Sequence, residues 1–200
     1  MPLPKKCPLC HSGDSDQFVV SPHVYGQKKD RGHSFYHCRS CDIRYQYPGL
    51  TLDEEHQFYA DEFEKFMETG SGISGGWQKA EEHVVANEDT RQRRMAYLSP
   101  HIQENLDILE IGCSSGFMLY PLNDMGHNCI GIEPSGVFSD FVKKNDLRVF
   151  NSVDHLINEA PKQKFDLIMH FFVLEHISDP IPFLLEQINL LKPNGKIIFE

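Results

Sequence analysis

Four of the six cysteines stand in two pairs with the same spacing, Cys7-x-x-Cys10 and Cys38-x-x-Cys41. Two thiolates separated by two residues can direct their sulfurs toward one tetrahedral metal ion, and two such pairs fill all four coordination positions. A filled site leaves no position open for a substrate. The spacing therefore predicts a structural Zn²⁺ ion held by these four cysteines.

The sequence leaves two other uses of these cysteines open, namely two disulfides or a redox-active pair. We favour metal because the chain shows no secretory signal, and a reducing compartment keeps thiols free to bind it. His11, His33 and His37 stand close enough to replace one cysteine as a ligand. A segment of about 45 residues builds little hydrophobic core, and a bound metal commonly stabilises such a segment.

A second chemistry-bearing stretch, LDILEIGCSSGFM, spans residues 106–118. An apolar run ends at an acid and is followed by Gly112 and Gly116. These residues have no side chain and therefore leave the backbone of a loop accessible. A dinucleotide fingerprint would need glycine where Ser114 and Phe117 stand. The wider spacing favours a nucleoside with an amino-acid tail and no phosphate, while a nicotinamide dinucleotide stays a distant alternative.

Alternating apolar and amphipathic segments follow from residue 106 to the end of the sequence. The predicted strands are LDILEI, NCIGIE, LRVFN, FDLIMHFF and GKIIFE, and the predicted helices are GFMLYPLNDMG, SGVFSDFVKKN and PIPFLLEQINLL. This alternation predicts βαβ units and a mostly parallel, Rossmann-like sheet in an α/β fold. Ligands of such sheets bind at the carboxyl ends of the strands, so the glycine loop should border a binding crevice.

Four motifs follow one another along the chain: ILEIGCSSGF, the acid in GIEPS, FDLIMHFFVLEHISDP and LLKPNGKIIF. Together they resemble the motifs of class I S-adenosylmethionine-dependent methyltransferases. With the paired cysteines in front, the chain resembles the small-molecule methyltransferases that carry an N-terminal zinc-binding domain. The resemblance implies that fold, a small zinc-ribbon-like domain, and S-adenosylmethionine and structural Zn²⁺ as cofactors.

The resemblance also implies roles for individual residues around the cofactor. The residues expected to hold it are Glu110, Gly112, Cys113, Ser114 and Gly116 at the methionine moiety, Glu133 at the ribose hydroxyls, Asp154 near the adenine, and His170 through its backbone. Ser114 replaces the commoner glycine and is expected to require an ordinary φ. Asp154 has the alternative role of an acid at a helix N-terminus, and Cys113 that of a small packing residue.

Methyl transfer to a hydroxyl or a carbon acid needs a group that accepts the proton. His176, with Glu175 beside it, follows the fourth predicted strand and is the candidate base. Both residues have an equally plausible structural role in the turn. Phe172 occupies the position where some methyltransferases place the first glutamate of an ExxEH metal site, which argues against a catalytic metal here.

We divide the chain into a zinc-binding segment (residues 1–50), a helical connector (51–100) and a cofactor-binding domain (101–200). The connector is expected to begin with a helix capped by Thr51, continue through a glycine-rich loop and resume as a helix from Gln78 to Leu98. Its RQRR cluster is expected to face solvent. The related sheets normally have two further strands, so the acceptor half is expected to be incomplete after Glu200.

Composition limits the partners. The chain of 200 residues has a formal charge of −10, and residues 1–50 hold seven Lys or Arg against four Asp or Glu, which leaves −13 for the rest. This body should repel polyanions, which disfavours nucleic acid. The sequence contains no run of about 20 apolar residues that would predict a membrane span, so a cytoplasmic location is expected.

Three functions follow from the sequence. The favoured one is methyl transfer to a small molecule, such as a sugar nucleotide or a natural-product intermediate. The second is a zinc-stapled module that binds S-adenosylmethionine without catalysis, and the third is a nicotinamide-dependent oxidoreductase. The acceptor, the methylated atom and the oligomeric state are not specified by these residues.

Overall fold

The computed structural model describes residues 3–22, 33–49, 51, 79–177 and 179–200. The chain divides into two compact units, Met1–Gly76 and Trp77–Glu200. The predicted helix that starts at Thr51 and the glycine-rich loop lie outside the described residues, and the division at residues 50 and 100 stays a prediction. None of the helices in the described ranges combines the length and apolar character needed to cross a bilayer.

The first unit contains a three-stranded antiparallel sheet in the order β1-β2-β3. Its strands are β1 (Gln17–Ser21), β2 (Ser34–Cys38) and β3 (Arg44–Tyr47). β2 is the strand predicted from SFYHC. It buries Tyr36 completely, with the Tyr45 ring stacked at 6.1 Å and the Tyr47 ring edge-on at 6.2 Å between centroids. These three tyrosines supply the aromatic core that so short a sheet requires.

The second unit alternates helices and strands along the chain. The helices are α1 (Ala80–Ala86), α2 (Glu88–Leu98), α3 (Leu119–Asp124), α4 (Gly136–Lys144), α5 (Val153–Glu159) and α6 (Pro180–Leu190). The strands are β4 (Asp107–Ile111), β5 (Asn128–Ile132), β6 (Arg148–Phe150), β7 (Phe165–His170) and β8 (Leu191–Phe199). Every pairing between these strands is parallel.

The five parallel strands lie in the order β6-β5-β4-β7-β8. Side chains alternate between the two faces, because successive residues of a strand point in opposite directions. Ile108 joins a core with Leu98 of α2 and residues of α3 and α4, whereas Leu109 joins a second core with Leu156 of α5 and Leu190 of α6. The α/β prediction with a Rossmann-like parallel sheet is confirmed, and the order reverses beside β4.

The structure differs from the sequence analysis in two helices. The single helix expected from Gln78 to Leu98 is broken at Asn87, whose φ of −100° and ψ of 12° leave the helical region, and whose side-chain amide donates to the carbonyl oxygen of His83 at 2.9 Å. The predicted helices also did not include α5, although a helix N-terminus was the alternative role given to Asp154. This helix has an N-cap, since Ser152 Oγ accepts from the backbone N–H of His155 at 3.1 Å.

Gly131 in β5 allows the sheet to approach the loop after β4. A Cβ atom at this position would lie 2.5 Å from Cys113 Sγ and 3.2 Å from a methyl carbon of Leu119. Substitution Gly131→Ala should therefore lower the free energy of unfolding by about 1–3 kcal/mol through overpacking, measured by urea denaturation. Adding Cys113→Ala removes the sulfur and should recover part of that loss.

The matched control is Gly136→Ala, because a Cβ atom there meets nothing within 4 Å. It should change the free energy of unfolding by less than about 1 kcal/mol. Equal destabilisation by the two glycine substitutions would contradict the packing argument.

Candidate cofactor crevice and four-cysteine cluster

The loop after β4 requires glycine at both of its predicted positions. Gly112 has φ of 72° and Gly116 has φ of 75°, which is the left-handed region that favours glycine. A Cβ atom on Gly112 would also come within 2.7 Å of a Val173 methyl carbon. The N–H of Gly112 donates to Ile132 at 2.9 Å and thereby ties the loop to the end of β5. The loop thus lies where the strand order reverses.

Ser114 departs from the expected backbone geometry. Its φ is 46°, in the left-handed region rather than the ordinary one. Its N–H donates to Glu133 Oε2 at 2.8 Å, which holds the peptide between Cys113 and Ser114. Serine adopts here the conformation that glycine adopts more readily, at a cost of about 1–2 kcal/mol.

Glu133 connects the loops that follow β4 and β5, where the binding crevice is expected. Its Oε1 accepts from the N–H of Ser135 at 2.8 Å, while its Oε2 accepts from Ser114. Burial raises the pKa of Glu133, and these two backbone donors act against that rise. A carboxylate has about four lone-pair sites, so two backbone bonds leave acceptor capacity for hydroxyl groups.

Backbone strain independently marks this region. Among the described residues, seven non-glycine residues have positive φ, and five of them are Asn, Asp or His, which tolerate this conformation. The other two are Ser114 and Phe172. They follow the neighbouring strands β4 and β7 and so lie at the same edge of the sheet. Strained residues concentrate at functional sites, which supports a crevice here.

Arg94 of α2 lies beside the candidate site, 5.8 Å from the centroid of the Phe117 ring, and the sequence analysis missed it. The residue is 6% exposed, although the RQRR cluster was expected to face solvent. The guanidinium Nε donates to Glu200 Oε2 at 2.9 Å. The available signal was the helical spacing of four residues from Leu98, which is buried in the core.

Glu110 is fully buried in β4, beneath the glycine loop. Burial raises its pKa well above the usual range, with Arg94 acting against that rise and Glu133 adding to it. Its Oε2 has no hydrogen-bond partner among the described residues. A buried acid of this kind is available to a ligand that supplies a donor.

His83 on α1 contacts the same loop from another side, and the sequence analysis also missed it. Its Nδ1 lies 2.8 Å from Ser115 Oγ, and its ring lies 5.6 Å from the Phe117 ring and 5.0 Å from the Phe138 ring. Burial lowers the pKa of His83 to about 4. The neutral imidazole is therefore the form that bonds Ser115 near pH 7.

The remaining predicted residues occupy distinct places around the crevice. Cys113 is buried against Gly131. Asp154 lies in the first turn of α5, just beyond β6. Glu175 and His176 are exposed in a single 3₁₀ turn, Leu174–His176, that follows β7. Their roles in binding and catalysis stay predictions.

His170 ends β7 with a completely buried side chain. Its ring stacks on Phe199 at 5.0 Å with an interplanar angle of 3°, and Phe183 meets it edge-on at 5.5 Å. Neither ring nitrogen has a hydrogen-bond partner among the described residues. Burial lowers the pKa of His170 to about 4.

The four predicted zinc ligands converge in the first unit. Their sulfurs all lie within 4.8 Å of one another, with Cys7–Cys41 and Cys10–Cys38 separations of 3.7 Å. A tetrahedral ion with Zn–S bonds of about 2.3 Å separates its sulfurs by about 3.8 Å. The separations far exceed a disulfide bond of about 2.05 Å. The cluster fits zinc.

The two cysteine turns share one backbone pattern. In each turn the residue after the second cysteine, His11 or Asp42, has φ near 60° and donates its N–H to the carbonyl oxygen of the first cysteine. The N–H of that first cysteine donates to Ser12 in one turn and to Ile43 in the other. Two similar turns thus present their sulfur pairs to one centre.

Side chains around Cys38 complete the cluster. Ser12 Oγ lies 3.2 Å and Gln17 Nε2 3.6 Å from Cys38 Sγ, and Tyr45 donates to Gln17 Oε1 at 2.8 Å. This last bond fixes the amide with its N–H₂ toward the sulfur. Donors of this kind orient metal ligands and offset thiolate charge.

His33 and His37, the alternative ligands, contact other groups. His33 Nδ1 lies 2.8 Å from the carbonyl oxygen of Pro48, and His37 Nε2 lies 2.7 Å from Asp42 Oδ1. The candidate ligand group found in the described part of the chain contains the four cysteines and no histidine.

A doubly wound sheet with a glycine loop at the reversal of strand order defines an α/β protein with a cofactor crevice. A family model described as a methyltransferase domain matches residues 83–200, more than half of the chain. The chain belongs to this methyltransferase family.

Individual relatives match over shorter stretches. A ubiquinone biosynthesis O-methyltransferase of Pelagibacter ubique is 33% identical over 96 residues, which cover 46% of this chain and 40% of that protein. A tRNA U34 carboxymethyltransferase of Nautilia profundicola is 32% identical over 112 residues, 52% of this chain and 37% of that protein. The chain thus spans about two fifths of the length of these relatives. Among solved structures, the plantazolicin methyltransferase BpumL has a TM-score of 0.48 at 15% identity, covering 72% of this chain and 55% of that one.

The buried neutral His170 generates a pH-dependent stability. Its folded pKa of about 4 lies below the unfolded value of about 6.5, so the unfolded chain binds more protons between these pH values. Its contribution is complete above pH 6.5 and is lost as pH falls toward 4. In the wild type, His170 should therefore lower the free energy of unfolding by up to about 2–3 kcal/mol as pH falls toward 4. The substitution His170→Phe should abolish this decrease.

The measurement is the difference between wild-type and variant unfolding free energies from pH 4 to 7, because the buried carboxyls titrate in both proteins. Substitution of the exposed His101 by Asn serves as the control for the loss of a histidine elsewhere in the chain. Parallel wild-type and His170→Phe curves would contradict the prediction.

Proposed function

We propose that the second unit binds S-adenosylmethionine in the crevice and transfers its methyl group to a small-molecule acceptor. The observation that carries the proposal is the Glu133 carboxylate, which joins the glycine loop to the loop after β5 inside the segment that matches the methyltransferase family. In this arrangement Glu133 would accept hydrogen bonds from the ribose hydroxyls, and the Gly112–Gly116 loop would hold the methionine moiety.

Bound S-adenosylmethionine would supply a methyl group on a sulfonium, which is already a good leaving group. The protein therefore has to orient the cofactor and acceptor in line. Buried Glu110 offers an acceptor for the ammonium of the methionine moiety, and the nearby Arg94 a cation for its carboxylate. Asp154 lies at the strand end suited to the adenine.

Glu175 and His176 are the proposed proton acceptors. Both are exposed on the turn after β7, at the edge of the sheet that carries the glycine loop. Imidazole and carboxylate side chains are common proton acceptors in catalysis. Their exposure leaves them accessible to an acceptor hydroxyl or carbon acid.

The relatives widen the choice of acceptor, because one acts in ubiquinone biosynthesis and another bears a tRNA name. The charge distribution favours a small molecule, since residues outside 1–50 carry the net charge of −13 that disfavours a polyanion. A sugar nucleotide or natural-product intermediate stays within the proposal.

Calorimetric titration with S-adenosylhomocysteine tests the cofactor assignment. The wild type should bind it and should not bind NAD at the same concentrations. Glu133→Gln should weaken binding by at least about tenfold, because the amide turns a donor toward one of the two backbone N–H groups and toward a ribose hydroxyl.

Substitution of the exposed Glu159 by Gln removes the same charge far along α5 and should leave the affinity unchanged. Absence of S-adenosylhomocysteine binding, or equal binding of NAD, would refute the assignment.

We also propose that Cys7, Cys10, Cys38 and Cys41 bind one structural Zn²⁺. Metal analysis should find one zinc per chain, and Cys38→Ser should lose most of it because Cys38 provides one of four thiolates. Chelation should unfold the small antiparallel sheet, seen as a change in tyrosine fluorescence. Cys129→Ala, in the core of the other unit, should retain zinc. Well under one zinc per wild-type chain would contradict the proposal.

A further inference from the structure

Phe172 holds an exposed aromatic ring at the edge of the sheet that carries the glycine loop. The side chain is 56% exposed, directly after β7 and before the turn that carries Glu175 and His176. Its φ of 54° is a genuine outlier for a bulky residue. Both exposing an apolar ring and adopting this backbone are unfavourable, so other contacts must maintain the arrangement.

Two contacts maintain it. The backbone N–H of Phe172 donates to the carbonyl oxygen of Glu200 at 3.2 Å. The Arg94 guanidinium lies 5.2 Å from the centroid of the Phe172 ring and 4.2 Å from that of Phe171, and it is itself held by Glu200 Oε2. These contacts fix both the backbone and one side of the ring.

The ring thus has a cation beside it and solvent around more than half of its surface. A cation attracts the electrons of an aromatic face. The exposed surface is then best matched by a second, electron-rich planar ring, because aromatic pairs stack in offset geometry more favourably than an aliphatic group of equal size.

We propose that Phe172 is a specificity-determining residue that stacks on the methyl acceptor and selects acceptors with a planar, electron-rich ring. The inference rests on the proposed function, because the candidate bases Glu175 and His176 lie on the adjoining turn. Arg94 acts as a positioning residue, since it holds the phenylalanine ring without touching the acceptor.

The test compares planar and saturated probes of equal size by ligand-observed NMR titration. Phenol is compared with cyclohexanol, and 2-naphthol with decahydro-2-naphthol, each with and without S-adenosylhomocysteine. The wild type should bind each planar probe at least fivefold more tightly than its saturated partner. Phe172→Tyr should keep this preference and Phe172→Leu should lose it, because leucine keeps the apolar volume without the ring.

Tyr97→Leu is the matched control, since Tyr97 is a 72% exposed aromatic on α2. It should keep the planar preference, and S-adenosylhomocysteine affinity should be the same in all four proteins. Equal binding of planar and saturated probes by the wild type, or an unchanged preference in Phe172→Leu, would overturn the inference. Failure of S-adenosylhomocysteine to bind would refute the cofactor assignment instead, and the cofactor-free titration would still decide the stacking.

Discussion

The crevice depends on the pair of hydrogen bonds that Glu133 accepts. A buried carboxylate is unfavourable unless its oxygens have donors, and here one donor comes from each of two loops. Because both N···O distances are 2.8 Å, the carboxylate fixes the separation of the loops. Ser114, whose backbone is left-handed, supplies one of these two donors. Local strain at Ser114 is thus coupled to a long-range contact.

Much of this architecture can be predicted from patterns of residues close together in the sequence. Alternating apolar runs specify the five parallel strands, and identical cysteine spacing specifies two turns that meet at one centre. These signals suffice because each depends on residues close in sequence. Glu110 near the end of β4 and Glu133 directly after β5 are also predictable, since each acid ends an apolar run two residues before a glycine or serine.

The missing elements depend on contacts between distant residues. Arg94 looks like part of a solvated basic cluster until α2 packs beside β4 and turns it inward. Asn87 interrupts the helix predicted over residues 78–98, and this segment contains no glycine or proline from which an interruption could be predicted. Gln17 and Tyr45 stand 28 residues apart and meet only after β1 and β3 flank β2. No local pattern contains the φ of Phe172, which the Glu200 backbone stabilises from the end of the next strand.

The interruption at Asn87 divides the approach to the sheet into two rods, although the Asn87 N–H still donates to His83 and its carbonyl oxygen accepts from Arg91. The second rod, α2, is anchored by buried Leu98 and Arg94, whereas the first carries His83 to the hydroxyl of Ser115. The contact between this imidazole and Ser115 ties α1 to the glycine loop, while α2 is tied to the core through Leu98. The two halves of one segment thus hold different parts of the unit in place.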